Sequence, residues 1–238
     1  MVSIAGSKKL KRQMAPLFWG ITRKDKRFVV TVRPGAHPKQ SSIPSAVFLR
    51  DTLKIVSSLR EAKTSIYSGN VKIDGVQRKS LHHGIGLMDV VELANVDDVY
   101  RLIPKDGAIL QPVKIDAADK TKKLCKVTTK TTMKGNKTQL GFHDGRSLIS
   151  DEKVNVGDTC LMQVPEQKIL EVIKLEKGVQ ALVTDGINAG QLGTIKEIQE
   201  GTFVLPKMAT MQLGDREIEI QTDILIAVGK DKPVIQVR

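Results

Sequence analysis

Apolar positions in the first half of the chain follow a helical period and then a strand period. Ala46, Leu49, Leu53 and Val56 fall at i, i+3, i+7 and i+10, one face of a helix. Ser42 ahead of Ile43-Pro44 supplies an N-cap candidate with proline in the first turn. A second helix is predicted from Ser58, with Glu61 three residues on as a capping box. It should bury Leu59, Ala62 and Ile66, display Arg60 and Lys63, and end at Gly69. The period then changes to two. Val71 and Ile73 alternate with Lys72 and Asp74, a strand closed by an Asp74-Gly75 turn. Gly84 and Gly86 precede a further apolar run over 87–93.

Beyond residue 104 the apolar runs shorten to strand length, at 108–115, 124–127, 159–164 and 169–173, separated by Gly-Asn, Asp-Gly and Gly-Asp turns. Such spacing predicts an antiparallel barrel or sandwich. A basic hairpin over 120–137 should reach out of it. Residues 173–238 give a second small β unit, with Gly186, Gly190 and Gly193 between two strand-like runs and a Gly214-Asp215 hairpin later. The first forty residues differ from all of this. Pro16, Pro34-Gly35 and Pro38 oppose helix, while Leu17, Phe18, Trp19, Ile21, Phe28, Val29, Val30 and Val32 are too apolar for solvent. An extended arm that becomes ordered on a partner fits that pattern. The expected division is an arm over 1–40, an α+β module over 41–103, a central β domain over 104–172 and a β unit over 173–238. The fold class is α+β, β-rich and multidomain.

Charge sharpens the picture. The 238 residues carry a net charge of +12, which points to a polyanionic partner. Residues 1–40 hold ten Lys or Arg and a single acid, Asp25. Residues 114–137 hold eight Lys and two Asp, whereas 138–238 hold eleven basic and fifteen acidic residues. Solubility alone does not require such sorting. No apolar run approaches the roughly 18 residues of a membrane span, and the basic N-terminus lacks the apolar core of a signal peptide. Cys125 and Cys160 lie far apart without a CxxC, as reduced thiols of a cytoplasmic protein would.

Catalytic chemistry is thinly represented. His82 and His83 are adjacent, so on a strand they face opposite ways. His37 and His143 have no partners at metal-binding spacing. Asp97-Asp98 and Asp151-Glu152 read as solvated turn charges, and no nucleophile elbow or kinase element is present. The glycines of 186–193 are not a nucleotide loop, since no Gly-Lys-Ser/Thr or GxGxxG opens a helix there. No enzyme, cofactor, metal or small-molecule substrate is expected.

Several stretches carry family resemblances. IPSAVFLRDTLKIVSSLREAKTSIYSGNVKIDG resembles the α-L RNA-binding motif through its LRD helix, EAK helix and GNVKIDG strand. VTDGINAGQLGTIKEI resembles the KOW motif, a β-hairpin of ribosomal proteins and transcription–translation factors. Taken in order with SKKLKRQMAPLFWGITRK, RPGAH and GLMDVV, they resemble the archaeal and eukaryotic small-subunit ribosomal protein family S4e over the whole chain. The resemblance implies a basic N-terminal arm, an α-L module, a central β domain and a C-terminal KOW barrel of SH3-like form. It further implies small-subunit ribosomal RNA and neighbouring ribosomal proteins as partners, a ribosomal location in the cytoplasm, no catalysis, and an archaeal source.

The expected RNA contacts in the arm are Lys8, Lys9, Lys11, Arg12, Trp19, Arg23, Lys24, Lys26, Arg27, Arg33 and His37. Arg50, Lys54, Arg60, Lys63 and Lys72 follow in the α-L module, and Lys120, Lys122 and Lys123 in the basic hairpin. Arginine and lysine suit phosphates. Trp19 would either stack on an exposed base or plug the arm onto its own module. The competing expectation is a KOW-containing translation or transcription factor that binds a protein through residues 173–238.

Overall fold

Among the described residues, three five-stranded antiparallel sheets follow one another along the chain. The computed structural model describes residues 9–94, 96–105, 109–214, 216–230 and 232–236. The first sheet runs, in spatial order, Val76–Gln77, Val71–Ile73, Val90–Leu93, Val96–Lys105 and Ile109–Ile115. The second runs Ser147–Ile149, Thr138–Phe142, Lys122–Thr132, Thr159–Gln163 and Lys168–Ile173. The third runs Arg216–Gln221, Met208–Leu213, Leu192–Gln199, Gln180–Val183 and Leu225–Gly229. Strand Val96–Lys105 pairs from Val99 to Lys105 with Ile109–Ile115. The boundary expected at 103–104 therefore falls inside a strand, and the first sheet extends to Ile115.

The helical elements are shorter than the apolar spacing suggests. Ile43–Pro44 is taken up pairing with Gly84–Ile85, so the helix begins at Ser45 and Ser42 does not cap it. After one turn it widens into a π-helical turn over Phe48–Thr52, closed by the Leu53 N–H on the Phe48 carbonyl at 2.9 Å. That widening turns Phe48 and Leu49 into the core. The helix Leu59–Tyr67 has the expected capping box: Ser58 Oγ accepts from Glu61 N–H, and the Glu61 carboxylate accepts from Ser58 N–H. Ala62 and Ile66 are buried, whereas Leu59 is exposed, against expectation. Gly69 ends the helix at a left-handed φ of +81°.

The arm is not an extended tail. Leu10–Lys11 pairs with Phe28–Val29, and 3₁₀ turns at Arg12–Met14 and Leu17–Trp19 fold the intervening segment back. Leu10, Ala15, Trp19, Ile21 and Val32 share one core with Ile43, Phe48, Leu49, Ile66, Val71 and Leu102. Much of the arm's apolar content is buried within the chain, although Leu17 and Phe28 stay exposed, and this corrects the expectation of an extended arm that orders only on a partner.

All three sheets meet in a second core. It joins Ile103 of the first, Leu124, Leu161 and Ile173 of the second, and Leu182, Ile226 and Val228 of the third. Gly190, at φ +87°, brings the third sheet's hairpin against the first, where a Cβ would lie 2.3 Å from the Pro104 carbonyl oxygen. Arg101 is buried in the same region. It donates to the carbonyls of Gln236, Asp119 and Lys122 at 3.0, 2.9 and 2.7 Å.

Candidate nucleic-acid interface

Two adjoining recesses collect part of the exposed cations of the front half. One, of about 300 Å³, is walled by the arm itself, from Lys11 to Gln13 and from Arg23 to Arg27. The other, of about 580 Å³, runs between the arm and the helical module and includes Lys26, Arg50, Lys54 and Ser57. They share Arg12, Asp25 and Lys26. The fold thus draws residues separated by thirty or more positions onto one open, basic groove.

Arg12 builds this groove from within. Its side chain is 4% exposed, and it donates to the Thr22 carbonyl at 2.7 Å while facing Asp25 at 3.8 Å. Arg23 ties the other limb, donating to the carbonyls of Gln13 and Ala15 at 2.7 and 3.1 Å. These two arginines hold the 22–27 loop, so Lys24, Lys26 and Arg27 face solvent. Phe28 carries cations on its ring, with Lys9 Nζ 5.7 Å and Arg27 Cζ 5.2 Å from the centroid. Arg50 is half-buried and forks onto Asp51, with Nη2 2.6 Å from Oδ2. Lys54 sits at a left-handed φ of +55° and projects beside it, exposed.

The remaining expected contacts divide into three groups. Arg33, Arg60, Lys63 and Lys72 are exposed but line neither recess, and Lys63 lies over the Tyr67 ring. Lys120 and Lys122 pair with Glu92 and Asp119. Lys8 lies outside the described residues. Four of the set are internal and need correction: Arg12, Trp19, His37 and Lys123 are each under 5% exposed. Trp19 has no face open to a base, and its Nε1 donates to the Ser42 carbonyl at 2.8 Å. The basic hairpin is present over 122–142, and its turn displays Lys134 and Lys137.

Lys123 belongs to a buried ionic cluster that residue spacing alone did not reveal. Its Nζ lies 2.8 Å from Asp74, 2.5 Å from Asp89 and 3.1 Å from Asp144. Arg146 contacts Asp74 and Asp144 at 2.6 and 3.3 Å, and His37 Nε2 contacts Asp89 at 3.1 Å. Burial pushes the Asp89 pKa up, but Lys123 and His37 outweigh it and hold the carboxyl well below its usual range. Burial opposes the charge on Lys123 too, yet Asp74 and Asp89 leave its pKa well above normal. The cluster joins the arm through His37, the first sheet through Asp74 and Asp89, and the second through Lys123. Gly86 is required beside it, since a Cβ there would lie 2.4 Å from the His37 ring.

A second buried cation joins the second and third sheets. Lys126 Nζ donates to the Thr222 and Asp223 carbonyls, both at 2.7 Å, along a cleft of about 590 Å³. Burial lowers its pKa to about 8, only partly offset by Asp223. Among the described residues no group of three or more His, Cys, Asp or Glu is placed to hold a metal, and no helix is long and apolar enough to cross a membrane.

Comparison with known proteins gives matches along the chain. The model of Ribosomal family S4e matches residues 96–169, and that of the RS4NT (NUC023) domain matches residues 5–40. The chain is 39% identical to small ribosomal subunit protein eS4 of Methanothermobacter thermautotrophicus, over 99% of this chain and 98% of that one. It is 36% identical to the eS4 protein of Ignicoccus hospitalis, over 99% and 97% respectively. The crystal structure of 30S ribosomal protein S4e from Thermoplasma acidophilum superposes with a TM-score of 0.70 at 32% identity. That match covers 80% of this chain and 96% of the other.

Proposed function

The chain belongs to ribosomal family S4e, and on that premise we propose that its front face holds ribosomal RNA within the small subunit. It is a structural protein of that subunit and supports translation as part of it. The single observation that carries the RNA-binding reading is the basic groove, where Lys24, Lys26, Arg27, Arg50 and Lys54 converge from arm and module. Cations in an open groove neutralise phosphates and release counterions. Arginine and lysine here recognise the shape of a folded RNA backbone, because A-form grooves hide base edges.

The two short helices followed by strands Val71–Ile73 and Val76–Gln77 support an α-L module at the groove's floor. The third sheet, with Gly190 at its hairpin, supports a KOW barrel of SH3-like form. Exposed Lys9, Lys11, Arg33, Arg60, Lys63 and Lys72 extend the RNA face, and Lys134 and Lys137 add a second prong. Neighbouring ribosomal proteins and a cytoplasmic ribosome complete the assignment. The factor alternative is not favoured, because the relatives that match nearly the whole chain are subunit proteins. Sedimentation through a high-salt sucrose gradient tests the assignment. A structural constituent stays with the small subunit, whereas a chain that washes off entirely is a factor.

A further inference from the structure

The outer face of helix Leu59–Tyr67 carries a stripe that lies outside both recesses of the basic groove. Arg60, Lys63, Thr64 and Tyr67 fall at i, i+3, i+4 and i+7, away from the buried Ala62 and Ile66. Tyr67 ends the stripe and is 51% exposed. Lys63 Nζ lies 5.7 Å from the centroid of its ring. One ammonium covers at most one face of a ring, so aromatic surface stays open to a further partner. Past Tyr67 the chain turns at Gly69, where Lys79 Cε lies 3.5 Å from the position a Cβ would take. Lys79 follows the hairpin of Val71–Ile73 and Val76–Gln77. A lysine from each of two elements thus comes close to the exposed end of the helix.

The charge around the ring selects the class of partner. Between residues 62 and 88 the cations are Lys63, Lys72, Arg78 and Lys79, all exposed. The one acid in that span is Asp74, buried in the ionic cluster with Asp89. Glu61 is engaged in capping the helix, accepting from the Ser57 and Ser58 N–H groups. Glu92 stands opposite Lys72 and pairs with Lys120 at 3.7 Å. Asp97 is exposed two strands away from Val71–Ile73. The ground around Tyr67 is therefore positive and attracts a polyanion. Lysines alone would suit any stretch of phosphate backbone. The tyrosine adds a flat apolar surface, on which a base stacks only when it is free of a duplex. Trp19 cannot serve in this way, since it is buried against Ser42. We propose that Tyr67 is a stacking platform for an unpaired base of the ribosomal RNA, with Lys63 and Lys79 beside it for the flanking phosphates. The inference rests on the reading of the chain as an RNA-binding protein of the small subunit.

The test compares Tyr67→Leu and Tyr67→Phe with the parent chain in filter binding to small-subunit ribosomal RNA across a salt series. Tyr67→Leu should weaken binding about 5- to 150-fold, the worth of one stacked base. The slope of log K against log salt and the melting temperature should not change, because neither a phosphate contact nor a core contact is lost. Tyr67→Phe should bind like the parent. Ultraviolet irradiation of purified small subunits should attach a nucleotide to the tryptic peptide 64–72, at a position that chemical probing reads as unpaired. Leucine binding as tightly as tyrosine, phenylalanine binding as weakly as leucine, a flattened salt slope, or a crosslink from that peptide to protein or to a paired nucleotide overturns the proposal. If Lys24→Ala, Lys26→Ala and Lys54→Ala together weaken binding while one of these holds, only the stacking platform is wrong. If the parent chain shows no salt-dependent affinity for the RNA, the platform and the proposed function fall together.

Discussion

The Trp19 indole and the Ser42 carbonyl, joined by a 2.8 Å hydrogen bond, pin the arm to the helical module. This is the chain's one tryptophan, so its fluorescence reports that contact directly. Trp19→Phe should cost about 1–3 kcal/mol in urea unfolding, because the Ser42 carbonyl loses its donor inside the core. The emission maximum of the native chain should stay blue-shifted when ribosomal RNA is added. A red shift or new quenching on binding would mean that the indole leaves its site to meet the RNA.

Because arm and module share a core, deleting residues 1–33 would open that core and could not isolate RNA binding. Surface substitution can. Lys24→Ala, Lys26→Ala and Lys54→Ala together should leave the melting temperature unchanged, since all three side chains are exposed. Affinity for small-subunit RNA should fall. If each lysine meets one phosphate, the slope of log K against log salt should flatten by roughly 2–3, at about 0.9 per phosphate on a duplex. Filter binding across a salt series reads both quantities, and an unchanged slope removes the groove from the interface.

Lys123 offers the opposite case, a cation with a structural role. Lys123→Met would leave Asp74, Asp89 and Asp144 facing one another with Arg146 and His37 alone to balance them. Removing one partner from a buried ionic cluster costs about 3–5 kcal/mol. The variant should be that much less stable by denaturant titration at pH 7. Exchange of the amide protons at Met88 and Leu102, which pair around the cluster, should accelerate.

Sequence periodicity carried the local elements well where a backbone rule decided them. Ser58 with Glu61, Gly69 after the helix and Asp74-Gly75 between strands each lie where their chemistry requires. It failed where tertiary pairing overrode it. Ser42 reads as a cap until Ile43–Pro44 is seen paired with Gly84–Ile85. Lys123 and Arg12 read as RNA contacts because charge in a basic segment normally faces outward. Their partners lie in different elements, and a linear pattern does not show which carboxylates will surround them. The groove itself follows from charge sorting along the chain, but its walls depend on the arm folding back.

Gly190 tests the seating of the third sheet. Its φ of +87° and the nearby Pro104 carbonyl leave no room for a side chain. Gly190→Ala should destabilise the chain by about 1–3 kcal/mol from backbone strain and displacement of strand Val96–Lys105. RNA affinity of the folded fraction should be unchanged, since the groove lies on the first module, and binding measured well below the unfolding temperature checks this.

His143 should make the fold less stable as pH falls from 6.5 to 4. Its Nδ1 accepts from the Lys126 N–H at 3.1 Å, and its Nε2 faces the Leu87 carbonyl at 3.3 Å. The neutral ring with its proton on Nε2 therefore satisfies both neighbours. Burial lowers its pKa to about 4, and Lys123 and His37 add repulsion against a second proton that Asp144 only partly offsets. Unfolded, the ring titrates near 6.5. Between pH 6.5 and 4 the unfolded chain thus binds the extra proton and the folded chain does not, so stability falls as pH falls through that window. The total loss is about 3 kcal/mol. Asp89 and Asp144, whose folded pKa values are depressed, withdraw their contribution only below the normal carboxylate range. His143→Asn keeps an acceptor for Lys126 N–H but cannot titrate. Its unfolding free energy should be flatter than that of the parent from pH 6.5 to 4 and should fall in parallel with it below that. Equal slopes in both windows would place the titrating group elsewhere.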